Sequence, residues 1–169
     1  MTMTDQISAR LALPLLAAGQ AGKEVTHNEA LTRLDMLVQP AVVGLGGNTP
    51  PADPQPGQCW IVGPAPTDAW AGRGDALACW TAGGWRFAGA ADGLAVWNTS
   101  SGQPLAYRDG RWRDGEVVAG RLIIGGVPVV GRRGEAIADP EGGAVVDTGA
   151  RQTLARILSA LRQHGLIAG

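Results

Sequence analysis

Apolar residues along this chain change period twice, and the changes separate helical ends from a strand-rich middle. Leu11 to Leu16 is an apolar strip broken by Pro14, which removes a backbone donor and disfavours helix at Leu13. It reads as an extended or turn-like segment that docks on a neighbouring surface, behind a flexible arm over residues 1–10. Thr26 to Glu29 fits a capping box, with Val25 and Ala30 placed as a hydrophobic staple. The spacing of Ala30, Leu31, Leu34, Leu37 and Val38 then predicts a helix from about His27 to Val38, ended by Gln39-Pro40.

Between Pro50 and Pro66 six prolines make a stiff connector that carries a short strand, Gln58 to Val62. From Ala76 the pattern becomes strand and turn. Leu77-Ala78-Cys79-Trp80 recurs as Leu94-Ala95-Val96-Trp97 and loosely as Leu105-Ala106-Tyr107. The turns Thr81-Ala82-Gly83-Gly84 and Arg108-Asp109-Gly110-Arg111 follow, and Trp85 and Trp112 come next, which is the signature of aromatic hairpins. Arg121 to Val130 is a β-branched run in which Gly125, Gly126 and Pro128 argue for a bulged or edge strand. A last helix is predicted from Asp147 or Thr148 to Gln163, with Leu154, Ile157, Leu158 and Leu161 as its apolar stripe and Gly165 as its stop.

These elements predict a mainly β fold with flanking helices (α+β): a small antiparallel domain of hairpins between an N-terminal and a C-terminal helix. Four parts are expected. They are a docking arm and helix (1–40), a Pro/Gly-rich connector (41–57), a Trp-rich β-domain (58–134), and a loop with an oligomerising helix (135–169).

Composition narrows the function. Fourteen basic and 15 acidic residues leave a net charge of -1, so no field steers the chain toward nucleic acid or an anionic membrane. No apolar run approaches the ~20 residues of a membrane span, and Met1 to Arg10 is too polar for a secretory leader. The expectation is a soluble protein made in the cytoplasm, with no membrane insertion. Cys59 and Cys79 lack the clustered partners of a zinc site, so neither metal nor cofactor is expected. They read as small buried residues, with a disulfide between neighbouring strands as the alternative.

Catalytic equipment is sparse. The histidines, His27 and His164, sit at predicted helix ends, and neither a nucleophile elbow nor a phosphate loop occurs. Asp68, Asp75, Asp92, Asp109 and Asp114 lie in or near the aromatic region. A glycan hydrolase would need two of them converging beside a cleft, yet Asp109-Gly110 and Asp114-Gly115 are ordinary turn dipeptides. No enzyme is expected. Exposed indoles can stack on sugar rings, although Trp is usually core. Trp80, Trp85 and Trp97 are assigned to the core. Trp70, in a loop-like stretch, is the candidate for a surface contact, and Tyr107 and Trp112 complete the candidate carbohydrate site.

The opening LALPLLAAGQAGKEVTHNEAL resembles an uncharacterised domain family common in alphaproteobacterial prophages and gene transfer agents. The resemblance continues through Asp35 to Pro40, Cys59 to Gly63, Ala69 to Gly72 and Gly84 to Phe87, and returns in the ending from Val129. Gly22 stands where a larger polar residue is expected, and Leu94 to Arg121 matches less firmly. The resemblance implies a virion-like particle, in whose head spikes or tail fibres such chains meet host surfaces, often polysaccharide. It implies partners among the other virion proteins and a homotrimer, in which edge strands such as Arg121 to Val130 are buried between copies. Leu154, Ile157, Leu158 and Leu161 are then the candidate oligomer interface. Assembly into the particle follows synthesis in the bacterial cytoplasm. The alternative is a monomeric carbohydrate-binding module.

Overall fold

The computed structural model describes residues 7–19, 21–143, 145 and 147–168. Their contacts fall into two units, one ending at Val117 and the next beginning at Val118. The fold is mainly β with a helix near each end, as the hydrophobic pattern requires. The boundary at Val117 lies inside the β-domain expected over 58–134.

In the first unit α1 runs over Lys23–Leu37, four residues longer at its start than the pattern indicates. Gly22 enters it at φ 79°, a left-handed conformation suited to glycine, and no side chain caps the helix. The capping box at Thr26 is therefore not formed: both of its residues lie inside the helix, and Glu29 instead takes the guanidiniums of Arg33 and Arg86. The apolar stripe is also not the buried face. Leu34, Leu37 and Val38 are exposed, whereas Met36 and Asp35 are buried.

Burying Asp35 makes sense once the preceding chain is in place. Its carboxylate accepts Ser8 Oγ at 2.6 Å, Leu11 N at 2.6 Å and Arg10 N at 3.0 Å. The Arg10 guanidinium reaches the carbonyls at the end of α1, donating to Asp35, to Met36 at 3.3 Å and to Gln39 at 2.7 Å. These are the carbonyls a helix C-terminus leaves unpaired, and the site favours a cation. Asn28 pairs both ways with the Leu16 backbone, at 2.8 and 3.0 Å. Residues 7–16 thus dock on the chain's own helix and are not a flexible arm; residues 1–6 lie outside the described ones.

Two four-stranded sheets form the body. One has the order β1 (Ala41–Val42), β6 (Ala95–Asn98), β7 (Gln103–Arg108), β8 (Arg111–Asp114); the other runs β2 (Gly44–Leu45), β3 (Cys59–Ile61), β4 (Leu77–Thr81), β5 (Gly84–Ala88). The segment 40–46 belongs to both. Pro40 and Val42 carbonyls accept Trp97 N and Thr99 N in the first sheet, while Val43 N and Gly46 N donate to Cys59 and Ile61 carbonyls in the second. The Pro/Gly-rich segment expected over 41–57 as a connector thus also supplies, at its start, the strands that couple the sheets.

The core between the sheets joins Val96 and Leu105 of the first to Cys59, Ile61, Leu77 and Cys79 of the second, with Val42 and Met36 at its side. Cys59 and Cys79 are register partners on β3 and β4, 1% and 2% exposed, and are joined by a disulfide. This corrects the reduced reading: antiparallel pairing brings their Cα atoms to 4.0 Å, which sequence separation alone could not show. The β4–β5 and β7–β8 hairpins form as the turn residues specify, with Asp109 (φ 52°) and Gly110 (φ 72°) both left-handed at the β7–β8 turn.

The second unit is sparse. Its β9 (Leu122–Ile124) and β10 (Val127–Val130) form a hairpin around Gly125-Gly126, with a register shift between Pro128 and Val130. The run expected to be one bulged strand is therefore two, because both glycines take positive φ (57° and 83°) and turn the chain. The unit's helix, α2 (Thr148–Gln163), is capped by Asp147, whose side chain accepts Ala150 N at 2.9 Å. Arg162 ties α2 to the preceding loop through Asp139 at 3.2 Å and the Ile137 carbonyl. Leu158 and Ile167 are the buried apolar residues described in this unit.

Candidate functional site

The second sheet carries aromatic rings on the face away from the disulfide. Strand alternation places Trp60, Ala78 and Phe87 in one row across it and Trp80 beside Trp85 in the next. Trp85 is the hub, meeting Trp80 at 5.1 Å, Trp70 at 5.2 Å and Trp60 at 5.6 Å, each edge-to-face. Trp70 reaches the group from a one-turn 3-10 helix, Asp68–Trp70, and is 0% exposed. It therefore offers no indole face to a sugar, and the expectation of a surface contact at Trp70 is corrected. The loop composition that suggested exposure is that of a short lid which folds its own tryptophan inward.

Gly46 makes room for that ring. A Cβ there would lie 2.6 Å from the Ile61 carbonyl oxygen and 3.1 Å from the Trp70 ring. Buried Trp70 Nε1 has no hydrogen-bond partner among the described residues.

Tyr107 and Trp112 are brought together as register partners on β7 and β8, with ring centroids 5.4 Å apart. Both are half-buried. Trp112 Nε1 donates to the Asp75 carbonyl at 2.8 Å, which fixes the indole at the mouth between the sheets. There it lines a groove of about 470 Å³ with Leu45, Ile61, Val62, Pro64 and Asp75.

Trp97 is a surface residue that the core assignment missed. It is 49% exposed, and its neighbours Val96 and Asn98 are buried at 4% each. The signal was present in the sequence. Leu94 and Val96 point inward, so two-residue alternation sends Ala95 and Trp97 outward. Register sets Trp97 between Ala41 and Pro104, on a face of small residues that continues through Ala95 and Ala106.

The candidate interface residues of α2 divide. Leu158 is buried at 8% and Leu161 is half-buried, whereas Leu154 and Ile157 are 47% and 50% exposed. The hairpin before them leaves Leu122, Ile123, Ile124, Val127, Val129 and Val130 exposed, at 42% to 62%. Register partners share a face, so Ile124 and Val127 project to one side while Ile123 and Pro128 project to the other. Neither side of the ribbon is polar.

Among the described residues there is no group of three or more His, Cys, Asp or Glu placed to hold a metal, and no helix is long and apolar enough to cross a membrane. Asp114 is held by Asn98 Nδ2 at 3.3 Å and Ser101 Oγ at 3.4 Å, and Asp109 by Arg108 at 3.7 Å. No curated protein matches the chain. A family model does match, over residues 27–113, from α1 through most of β8. That span is half of the chain and includes both sheets and every tryptophan, so the chain belongs to the family described as Protein of unknown function (DUF2793).

Proposed function

We propose that the chain is a non-enzymatic structural component of a phage or phage-like particle, part of a spike or fibre that takes part in host-surface attachment or its assembly. The observation that carries the reading is the β9–β10 ribbon, whose apolar side chains are exposed on both faces. An isolated two-stranded hairpin is marginal in water, and apolar residues on both faces call for cover on both sides. Copies of the same chain related by closed symmetry provide that cover, with Leu154 and Ile157 adding a helical contact. The resemblance of the opening and closing segments to prophage and gene-transfer-agent proteins supplies the particle, the other virion proteins as partners, and three as the number of copies.

A second reading, carbohydrate binding, draws on Trp97 and on the Tyr107–Trp112 pair beside the groove. An array of copies would raise a weak contact with host polysaccharide through effective concentration. Mass spectrometry of particles sedimented from a producing culture tests the first reading: the chain belongs in the particle fraction, and its confinement to the supernatant contradicts the assignment. Glycan-array binding by native chain and by Trp97→Ala and Trp112→Phe tests the second. Equal binding by all three removes both rings from the site.

A further inference from the structure

A recess of about 270 Å³ in the first unit is lined by Glu29, Arg33, Arg73, Trp85, Arg86 and Phe87. All six lie within the family match at 27–113. Three arginines and one carboxylate line it, a local excess of positive charge on a chain whose net charge is -1.

The three arginines differ in how much of their hydrogen-bonding capacity is used. Arg86 is committed: Nε goes to Glu29 at 2.8 Å, and one terminal nitrogen donates to the Gly83 and Trp85 carbonyls at 3.0 and 3.1 Å. Arg33 uses its Nε on Glu29 at 3.1 Å, and its side chain remains 62% exposed. Arg73 stacks over the Phe87 ring, with Cζ 5.1 Å from the centroid. Such a cation–π contact consumes little of the five-donor capacity of a guanidinium, and the Arg73 side chain makes no hydrogen bond or ion pair among the described residues. Glu29 thus holds two arginines in position without neutralising the third.

We propose that this recess binds an oxyanion, a carboxylate, phosphate or sulfate group of a ligand, between the unspent donors of Arg33 and Arg73 and beside the Trp85 indole. In-plane guanidinium donors match the geometry of such groups, and the partly enclosed aromatic wall strengthens the charge-assisted bonds. The site does not depend on the particle assignment.

Indole ¹⁵N resonances of the full chain, with Trp85 identified by Trp85→Phe, report on the recess during titration with inorganic phosphate or with succinate. Ionic strength is held constant with sodium chloride. The expected result is a saturable Trp85 shift with at least one anion, and an affinity weakened roughly tenfold in Arg73→Gln, Arg33→Gln or both. A stronger response to phosphate assigns a tetrahedral group, and a stronger response to succinate a carboxylate. The proposal is overturned by the absence of a saturable shift with either anion, by an equal response to chloride alone, or by unchanged affinity in both arginine variants.

Discussion

Asp35 accepts the Ser8 hydroxyl at 2.6 Å across 27 residues of chain, and this contact explains why a charged residue is buried on the inner side of α1. The same carboxylate takes two backbone amides of the docked segment, so it supplies the acceptor that an extended strip beside a helix otherwise lacks.

Asp35→Ala is expected to strand those donors and lower unfolding free energy by about 3 kcal/mol, since each unsatisfied buried group costs roughly 1–3 kcal/mol. Residues 7–16 should detach from the helix. Limited trypsin digestion checks this at the Arg10–Leu11 bond: fast cleavage in the variant and slow cleavage in the native chain are expected, and equal rates contradict the docking account.

The disulfide closes a loop between residues 20 positions apart on neighbouring strands. Replacing both residues, as Cys59→Ala with Cys79→Ala, is expected to cost about 2–4 kcal/mol in urea unfolding. Superimposable curves for the oxidised native chain and the double variant would count against any stabilising role.

Trp70 separates packing from hydrogen bonding. Trp70→Ala should cost about 3–5 kcal/mol for the cavity it leaves, whereas Trp70→Phe should cost much less because the lost N–H has no partner. Gly46→Ala should also destabilise, by about 1–3 kcal/mol, through overpacking against Ile61 and the Trp70 ring. Thermal unfolding of the three variants ranks them. A Trp70→Phe variant as unstable as Trp70→Ala would mean that the indole N–H is bonded after all.

Glu29 gives the pH dependence its sign. Burial pushes its carboxyl up, but hydrogen bonds and charge from Arg86 and Arg33 outweigh that and hold it below its ordinary value of 4.5. The folded state therefore binds fewer protons at this site than the unfolded state does. Its contribution is fully present above 4.5 and is lost as pH falls through the lowered folded value. Urea midpoints measured from neutrality down to about pH 3 should fall less steeply in Glu29→Gln than in the native chain; parallel profiles would show that the pair contributes nothing.

Much of this fold was legible because period and turn chemistry are local. Thr81 to Gly84 and Arg108 to Arg111 specify their hairpins whatever surrounds them, and Asp147 and Gly165 mark the ends of α2. What failed was governed by distant partners. The Thr26 box satisfied every local rule, yet Glu29 was taken by Arg86, 57 residues away. The Leu34 and Leu37 stripe lost to Asp35 because the preceding strip offered that face hydrogen bonds. Trp70 and Trp97 sit opposite to expectation: loop composition does not reveal that residues 68–70 fold Trp70 inward, and at Trp97 the alternation displayed by Val96 and Asn98 decides. The proposed oxyanion recess could not be read at all: Glu29, Arg73 and Phe87 line one hollow only after β5 packs beside α1.

The proposed function requires residues 118–169 to associate with copies of themselves. Sedimentation equilibrium of the full chain tests it most directly. A whole-number multiple of 17.4 kDa is expected, three by the family resemblance, falling to 17.4 kDa in an Ile123→Asp, Ile157→Asp double variant. A native chain that stays at 17.4 kDa at every concentration would contradict it.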